Sequence, residues 1–220
     1  MKNGDTRSQD EVAVFSLLDR GFEDLSIGIT KSQLESLTAL VALLHDWSGR
    51  INLTGHRSPE EIASRLVLDA AASANALPEL STAESVADLG TGAGFPGLPI
   101  AILFPTVAVQ LVDSREKRHH FRRAAIRQLG LGNVESVIGR AEILEPKLSD
   151  IVIAQAMTQP DEALALMDRW AAPGATLALP ASEGADRPES LPEYAPIELR
   201  EYLVPISNIQ RKLWVAKKLA

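Results

Sequence analysis

The sequence has no cysteine among its 220 residues. Disulfide bonds, thiolate metal sites and a cysteine nucleophile are therefore excluded. The four histidines (His45, His56, His119 and His120) do not have the spacing of metal ligands, because the adjacent pair points to different sides of a helix. We predict no metal site.

Long apolar runs are also missing, and no stretch is long enough to span a bilayer. The opening residues, MKNGDTRSQDE, do not resemble a signal peptide. A composition of 45% hydrophobic and 23% charged residues is that of an ordinary globular protein with a sizeable core. We expect a cytoplasmic monomer without a membrane partner.

Positive charge is in the minority, since 22 Lys and Arg face 29 Asp and Glu, and the net charge is −7. Such a balance disfavours a nucleic-acid partner, because phosphates attract basic residues. One segment departs from it: between residues 115 and 127, six basic residues face the single acid Glu116, which is six minus one, or +5. The six are Arg115, Lys117, Arg118, Arg122, Arg123 and Arg127. This segment is either a face that binds RNA or a solubilising helix surface.

Hydrophobic periodicity divides the chain near residue 80. Residues 1–80 are predicted to form a helical subdomain with helices over 11–20, 31–47 and 58–76, the first of which ends at Gly21. Residues 81–220 alternate between short apolar strands and helices, which predicts an α/β fold with a doubly wound, mostly parallel sheet. The strands are predicted at 85–89, 107–112, 134–138, 150–154 and 175–179, with helices at 97–104, 115–129 and 160–171 and a final antiparallel hairpin at 197–203 and 211–217.

The stretch Ser85–Pro99, SVADLGTGAGFPGLP, predicts a buried strand that leads through an acid into a glycine loop and a helix. Glycine lets a ligand approach the backbone closely. The dinucleotide pattern G-x-G-x-x-G is broken because Phe95 replaces its third glycine. The form D-x-G-x-G-x-G is typical of S-adenosylmethionine (SAM) sites, although a tight turn without a ligand is the alternative. The residues predicted to bind the cofactor here are Asp88, Gly90, Gly92, Gly94 and Phe95.

Ligands of open α/β sheets lie beyond the carboxyl ends of the strands. Asp113 ends the second predicted strand, where a carboxylate can accept the ribose hydroxyls of an adenosine moiety; capping of the next helix is the alternative. Ala141 and Glu142 follow the third strand, where they would meet the adenine edge. Glu142 can equally be a solvated loop charge.

The segment after the fourth strand, 154–160, lacks the Asn/Asp-Pro-Pro-aromatic pattern used to methylate exocyclic amines. Without cysteine, covalent C5 methylation of pyrimidines is excluded as well. Both absences fit an acceptor that needs no activation, such as N7 of guanine, which carries a lone pair and no proton. An enzyme acting on such an acceptor works mainly by holding the two reactants in line.

Four segments together carry the resemblance to a family. They are HDWSGRINLTGHRSPEEIASRLVLDA (45–70), VADLGTGAGFPGLPIAILFP (86–105), LVDSREKRHHF (111–121) and GRAE (139–142). The chain thereby resembles the RsmG family, also called glucose-inhibited division protein B, over about residues 34–179. The resemblance implies a class I SAM-dependent methyltransferase that modifies N7 of a guanine in small-subunit (16S) ribosomal RNA, with the RNA or the 30S subunit as partner.

The resemblance also implies roles for particular residues. The cofactor side matches the family throughout, whereas the substrate side has candidates for placing the acceptor at Asn52, Arg65, Asp69 and Gln155. The candidates for RNA binding are Arg115, Lys117, Arg118, Arg122 and Arg123.

The substrate side departs from the family's motifs at three places. R-H-x-x-D-S reads Arg65-Leu66-Val67-Leu68-Asp69-Ala70, S-R-A reads Ala154-Gln155-Ala156, and Lys-Gly reads Pro180-Ala181. The change from Arg to Gln removes a permanent charge and a bidentate fork. These departures leave two alternatives open: a relative that methylates another acceptor, perhaps a small molecule, and a SAM-binding protein without catalytic activity.

Overall fold

A computed structural model describes residues 8–154, 159–181, 187–189 and 191–219 of the chain. Its helices are α1 (Gln9–Asp24), α2 (Lys31–Ser48), α3 (Pro59–Ile62), α4 (Leu68–Asn75), α5 (Gly97–Leu103), α6 (Glu116–Leu129) and α7 (Pro160–Asp168), with a π-helical turn (Ala63–Val67) between α3 and α4 and a 3₁₀ turn at Pro78–Ser81. Its strands are β1 (Ser85–Leu89), β2 (Ala108–Asp113), β3 (Val134–Ile138), β4 (Ser149–Ala154), β5 (Ala171–Ala181), β6 (Glu198–Val204) and β7 (Ile209–Lys217).

The N-terminal helices begin where side chains cap them. Ser8 and Thr30 form capping boxes with Glu11 and Gln33. The predicted end of α1 at Gly21 is wrong, because the helix continues to Asp24. A Cβ at Gly21 would lie 2.4 Å from a methyl carbon of Leu68, so glycine serves close packing between α1 and α4 there and does not stop the helix.

The seven described strands form one sheet in the order β3-β2-β1-β4-β5-β7-β6. Neighbours from β3 to β5 run parallel, and β7 pairs antiparallel with both β5 and β6. The prediction of a mostly parallel sheet that ends in an antiparallel hairpin is confirmed. The strand β5 is longer than predicted, since it begins at Ala171 after α7 ends at Asp168.

The two faces of the sheet are covered by different helices. Successive residues of β1 show this, because Val86 packs in one core with the N-terminal helices, α5 and α6, whereas Ala87 packs in the other with α7. The N-terminal helices therefore share a core with the sheet, and a boundary at residue 80 stays a prediction. No helix among the described residues is long and apolar enough to cross a membrane.

Candidate active site

A cavity of about 270 Å³ lies where β1, β2 and β3 end, and we call it the strand-end cavity. Its walls come from the three loops that follow these strands and from the first turn of α6. They comprise Gly90, Val112, Asp113, Ser114, Arg115, Arg118, Gly139, Arg140, Ala141 and Glu142. The structure thus brings together four of the eight residues predicted to bind a cofactor: Gly90, Asp113, Ala141 and Glu142.

Gly92 is held from both sides by groups that belong to β2 and α6. Its N–H donates to Oδ2 of Asp113 at 3.0 Å, and its carbonyl oxygen accepts from Nη1 of Arg122 at 2.8 Å. The residue has φ +61°, a left-handed conformation that favours glycine. The middle of the glycine loop is therefore fixed in place by one side chain at the end of β2 and one on α6.

Arg122 lies in the protein interior, with no exposed surface. Besides Gly92 it donates to Oγ of Ser136 at 2.8 Å and to the carbonyl of Val137 at 3.3 Å. Burial lowers the pKa of the guanidinium to about 10, while Asp113 and Asp88 act to raise it. The predicted RNA contact of Arg122 is wrong, because a side chain without exposed surface cannot reach a phosphate.

The carboxylate of Asp113 accepts three hydrogen bonds from residues in and around the cavity wall. Besides Gly92 N–H, it accepts the N–H of Arg115 at 2.8 Å and Nη1 of Arg118 at 3.3 Å. The N-cap position of α6 belongs to Arg115, so Asp113 orders the turn before the helix. A carboxylate has about four lone-pair sites. Three partners leave one site for a ligand hydroxyl.

Asp88 lies behind the glycine loop, fully buried and outside the cavity wall. Its Oδ2 accepts the hydroxyl of Thr91 at 2.6 Å and the N–H of Gly97 at 2.8 Å, while Oδ1 has no hydrogen-bond partner among the described residues. Burial raises the pKa of this carboxyl to about 7, against the lowering effect of those hydrogen bonds. The structure corrects the predicted cofactor contact: Asp88 holds the two ends of the loop.

The other predicted loop residues also lie away from the strand-end cavity. Gly94 lies against Leu98, and Phe95 lines a different cleft, described below. At the opposite wall, the carbonyl oxygen of Ala141 accepts from Nε1 of Trp170 at 3.2 Å. Trp170 is buried, so it fixes the loop that carries Ala141.

A small cleft of about 30 Å³ lies between the helical region and the C-terminal hairpin, and we call it the helix–hairpin cleft. Its lining includes two predicted acceptor residues, Arg65 and Asp69, together with Phe95 and Tyr202. Leu66, Ala70 and Pro180, three of the positions at which the chain departs from the resembled family, line the same cleft. These three departures therefore lie together in one cleft, next to Phe95 of the glycine loop.

Asp69 is tied to the hairpin. Its Oδ1 accepts the hydroxyl of Tyr202 at 3.2 Å, and its Oδ2 forms an ion pair with Nη2 of Arg211 at 3.1 Å. Burial raises the pKa of Asp69, while Arg211 acts to lower it. The contact joins α4 to β6 and β7. Neither partner was predicted, because no local pattern marks contacts across more than 130 positions of chain.

The π-helical turn Ala63–Val67 carries Arg65 and Leu66 to the cleft. Such turns occur often at functional sites. Asn52 is exposed in the loop after α2 and does not line the cleft. Gln155, the fourth predicted acceptor residue, lies outside the described residues.

The basic residues of 115–127 divide among three places. Arg115 and Arg118 line the strand-end cavity, and Arg122 is buried. Lys117 and Arg123, with Arg127, line a groove on the outside of α6. Three of the five residues predicted to bind RNA thus lie on the cavity side or inside the protein.

The sequence is similar to a known protein family and to curated members of it. The family model for GidB, rRNA small subunit methyltransferase G, matches residues 33–198. A ribosomal RNA small subunit methyltransferase G from Chromohalobacter salexigens is 36% identical over 200 residues, covering 89% of this chain and 93% of that protein. The protein of the same description from Myxococcus xanthus is 32% identical over 216 residues, covering 91% and 95%.

Solved structures share the fold at low sequence identity. A putative O-methyltransferase from Klebsiella pneumoniae superposes with a TM-score of 0.59 at 13% identity, covering 96% of this chain and 99% of its own. The putative methyltransferase yhhF from Escherichia coli gives a TM-score of 0.55 at 16% identity, covering 68% and 87%.

Proposed function

Because the chain belongs to the GidB family of rRNA small subunit methyltransferases G, we propose that it methylates small-subunit ribosomal RNA. The methyl donor is SAM, and the acceptor is N7 of a guanine. The strand-end cavity is the observation that carries this proposal, because its walls suit an adenosine moiety.

The residues present fit SAM at particular atoms. Asp113 keeps a free lone-pair site where its carboxylate faces the cavity, which suits a ribose hydroxyl. Gly90, with φ +70°, lets a ligand pass close to the backbone, and the loop of Ala141 and Glu142 forms the opposite wall for the adenine. A volume of about 270 Å³ lies just under the usual range of small-molecule pockets. The cavity therefore suits the nucleoside part of the donor.

SAM supplies an electrophilic methyl group on a sulfonium. Guanine N7 already offers a lone pair, so the protein needs no general base and works by orientation. Arg65 and Asp69 lie beside Phe95 of the glycine loop, which puts a cation and a carboxylate next to the donor side. Asp69 is engaged by Arg211 and Tyr202, which suits placing an acceptor better than accepting a proton.

A second candidate function is methylation of a different acceptor. It is favoured by Leu66, Ala70 and Pro180, which line the helix–hairpin cleft where the resembled family has His, Ser and Lys. Fewer polar groups then face the acceptor than in the family's pattern.

Mapping of ribosomal RNA tests the proposal and separates the two candidates. Deleting the gene is expected to abolish chemical cleavage at one N7-methylguanine of the small-subunit RNA, and the wild-type gene is expected to restore it. A gene that encodes Gly92→Val is expected not to restore the cleavage, because a β-branched residue is strained at φ +61°. An unchanged RNA pattern, with SAM binding by the wild-type protein in calorimetry, would favour the second candidate. Cytoplasmic location and a monomeric state stay predictions for fractionation and light scattering.

A further inference from the structure

A groove of about 1110 Å³ lies on the outside of α6, and we call it the α6 groove. It passes over α6 between the C-terminal end of α2 and strand β3, which is an edge strand of the sheet. Trp47 and Ile51 form one flank, and Val134 and Glu135 form the other. None of the cofactor contacts proposed above lies in it.

Positive groups run along the groove in a stripe. They are Lys117, Arg123 and Arg127, which are all exposed, and their spacings of six and four place them on one face of the helix. The stripe spans ten residues, or about 15 Å. Glu135, the carboxylate that lines the groove, is paired with Lys147 at 3.9 Å. On a chain of net charge −7, this stripe is a local site for a polyanion.

An aromatic ring accompanies the charges. Trp47 meets the buried ring of Phe121 edge-on, with 5.7 Å between centroids and 69° between planes. It is half-buried, and its accessible part lines the groove. Sites for single-stranded nucleic acid combine a basic groove that follows the backbone with aromatic side chains on which bases stack. Lys and Arg beside an indole match that pattern.

The groove lies next to the candidate active site along α6. Its first cation, Lys117, directly precedes Arg118, which lines the strand-end cavity. An RNA segment bound in the groove would therefore lie close to the cavity that we assign to the methyl donor.

We propose that the α6 groove binds a single-stranded segment of the substrate RNA, with phosphates on Lys117, Arg123 and Arg127 and a base on Trp47. This inference rests on the proposed function, since the RNA is that of the methylation reaction. A protein partner would have to be acidic yet stack on Trp47, which fits the groove less well.

Charge reversal with a matched control tests the groove. The test variant is Arg123→Glu/Arg127→Glu. The control is Arg20→Glu/Lys31→Glu, which makes the same change in net charge on α1 and at the start of α2, about 25 Å along α2 from Trp47. The probes are small-subunit RNA and 30S subunits from cells that lack the gene. RNA affinity is measured against salt, and SAM affinity by calorimetry.

The test variant is expected to bind RNA at least tenfold more weakly, with a salt slope reduced by about 2, at unchanged SAM affinity. The control is expected to stay within about twofold. If both variants bind RNA equally well while the wild type binds and methylates it, the groove assignment falls and the proposed function stands. If the wild-type protein neither binds nor methylates small-subunit RNA, the proposed function is wrong, and the groove assignment is wrong with it. Recovery of a protein on the groove with RNA affinity unchanged would overturn the RNA assignment.

Discussion

The two faces of α6 carry similar residues with different surroundings. On the inner face, Arg118 pairs with Asp113 and Arg122 is buried against the glycine loop. On the outer face, Arg123 and Arg127 are exposed in the α6 groove. The +5 charge of the segment is therefore not a property of one surface. Because side chains repeat on one face of a helix every three to four residues, some of these charges lie at the proposed donor site and others lie in the groove that we propose binds RNA.

Burying a guanidinium is costly unless it is paired and hydrogen-bonded. Arg122 meets that condition with three acceptors and with the carboxylates of Asp88 and Asp113 acting on its charge. These hydrogen bonds of Arg122 can form only when the glycine loop places the Gly92 carbonyl where it lies here. Arg123 and Arg127 on the outer face are exposed, so we expect substitutions of these two residues to leave the fold intact.

The largest effect is expected from Arg122→Leu. It removes the donor to the Gly92 carbonyl and the charge near Asp113, at about 1.5 kcal/mol for each charged hydrogen bond. We expect SAM affinity to fall by roughly 100-fold in calorimetry. Arg123→Leu, one position along, serves as control with affinity unchanged. Arg122→Lys keeps the positive charge but not the several N–H donors of the guanidinium. Its SAM affinity is expected to lie between those of Arg122→Leu and Arg123→Leu. Equal SAM affinity of the Arg122 and Arg123 variants, both folded by circular dichroism, would break the comparison.

A smaller effect concerns pH. The pKa of Asp88 is raised from 3.8 to about 7, so the folded state binds more protons than the unfolded state between these values. The free energy of unfolding therefore falls as pH rises through this window and levels off above it. In the wild type, the free energy of unfolding is expected to fall between pH 5 and pH 7. In Asp88→Asn this fall is expected to be smaller by about 2 kcal/mol, measured by urea unfolding at the two pH values.

The control for this pH effect is Arg127→Gln, which is expected to keep the wild-type dependence because it lies on the outer face. An Asp88→Asn protein whose pH dependence equals that of the wild type would contradict the assignment to Asp88.

Asp113→Asn is expected to lower SAM affinity by about tenfold. The amide keeps the size of the side chain but loses the charge that faces Arg118. Its NH₂ group replaces one of the two oxygens, so either the N–H of Gly92 or that of Arg115 loses its acceptor. Calorimetry measures the change. Asp150→Asn, at the opposite end of the sheet beside Ser85, serves as control. An unchanged SAM affinity for Asp113→Asn would remove Asp113 from the donor site.

The smallest effect is expected from Arg127→Ala. Loss of one phosphate contact should weaken small-subunit RNA binding by about threefold and lower the salt slope by about 1. SAM affinity is expected to stay the same. A loss of SAM affinity here would show that the two faces are not independent.

Much of the donor side could be predicted from sequence, because a buried strand, an acid and a glycine loop are contiguous and their order follows from chain topology. The burial of Arg122 could not, since it depends on how α6 packs against the loop and β3. The contacts of Asp69 with Tyr202 and Arg211 also required the antiparallel pairing of the hairpin with the rest of the sheet.

The most direct test of the division of α6 is one set of binding measurements on two variants, Arg122→Leu and Arg123→Glu/Arg127→Glu. Each folded protein is titrated with SAM and with small-subunit RNA under identical salt. Our account predicts that the first variant loses SAM affinity and keeps RNA affinity, and that the second does the reverse. Parallel losses of both affinities in both variants would contradict it.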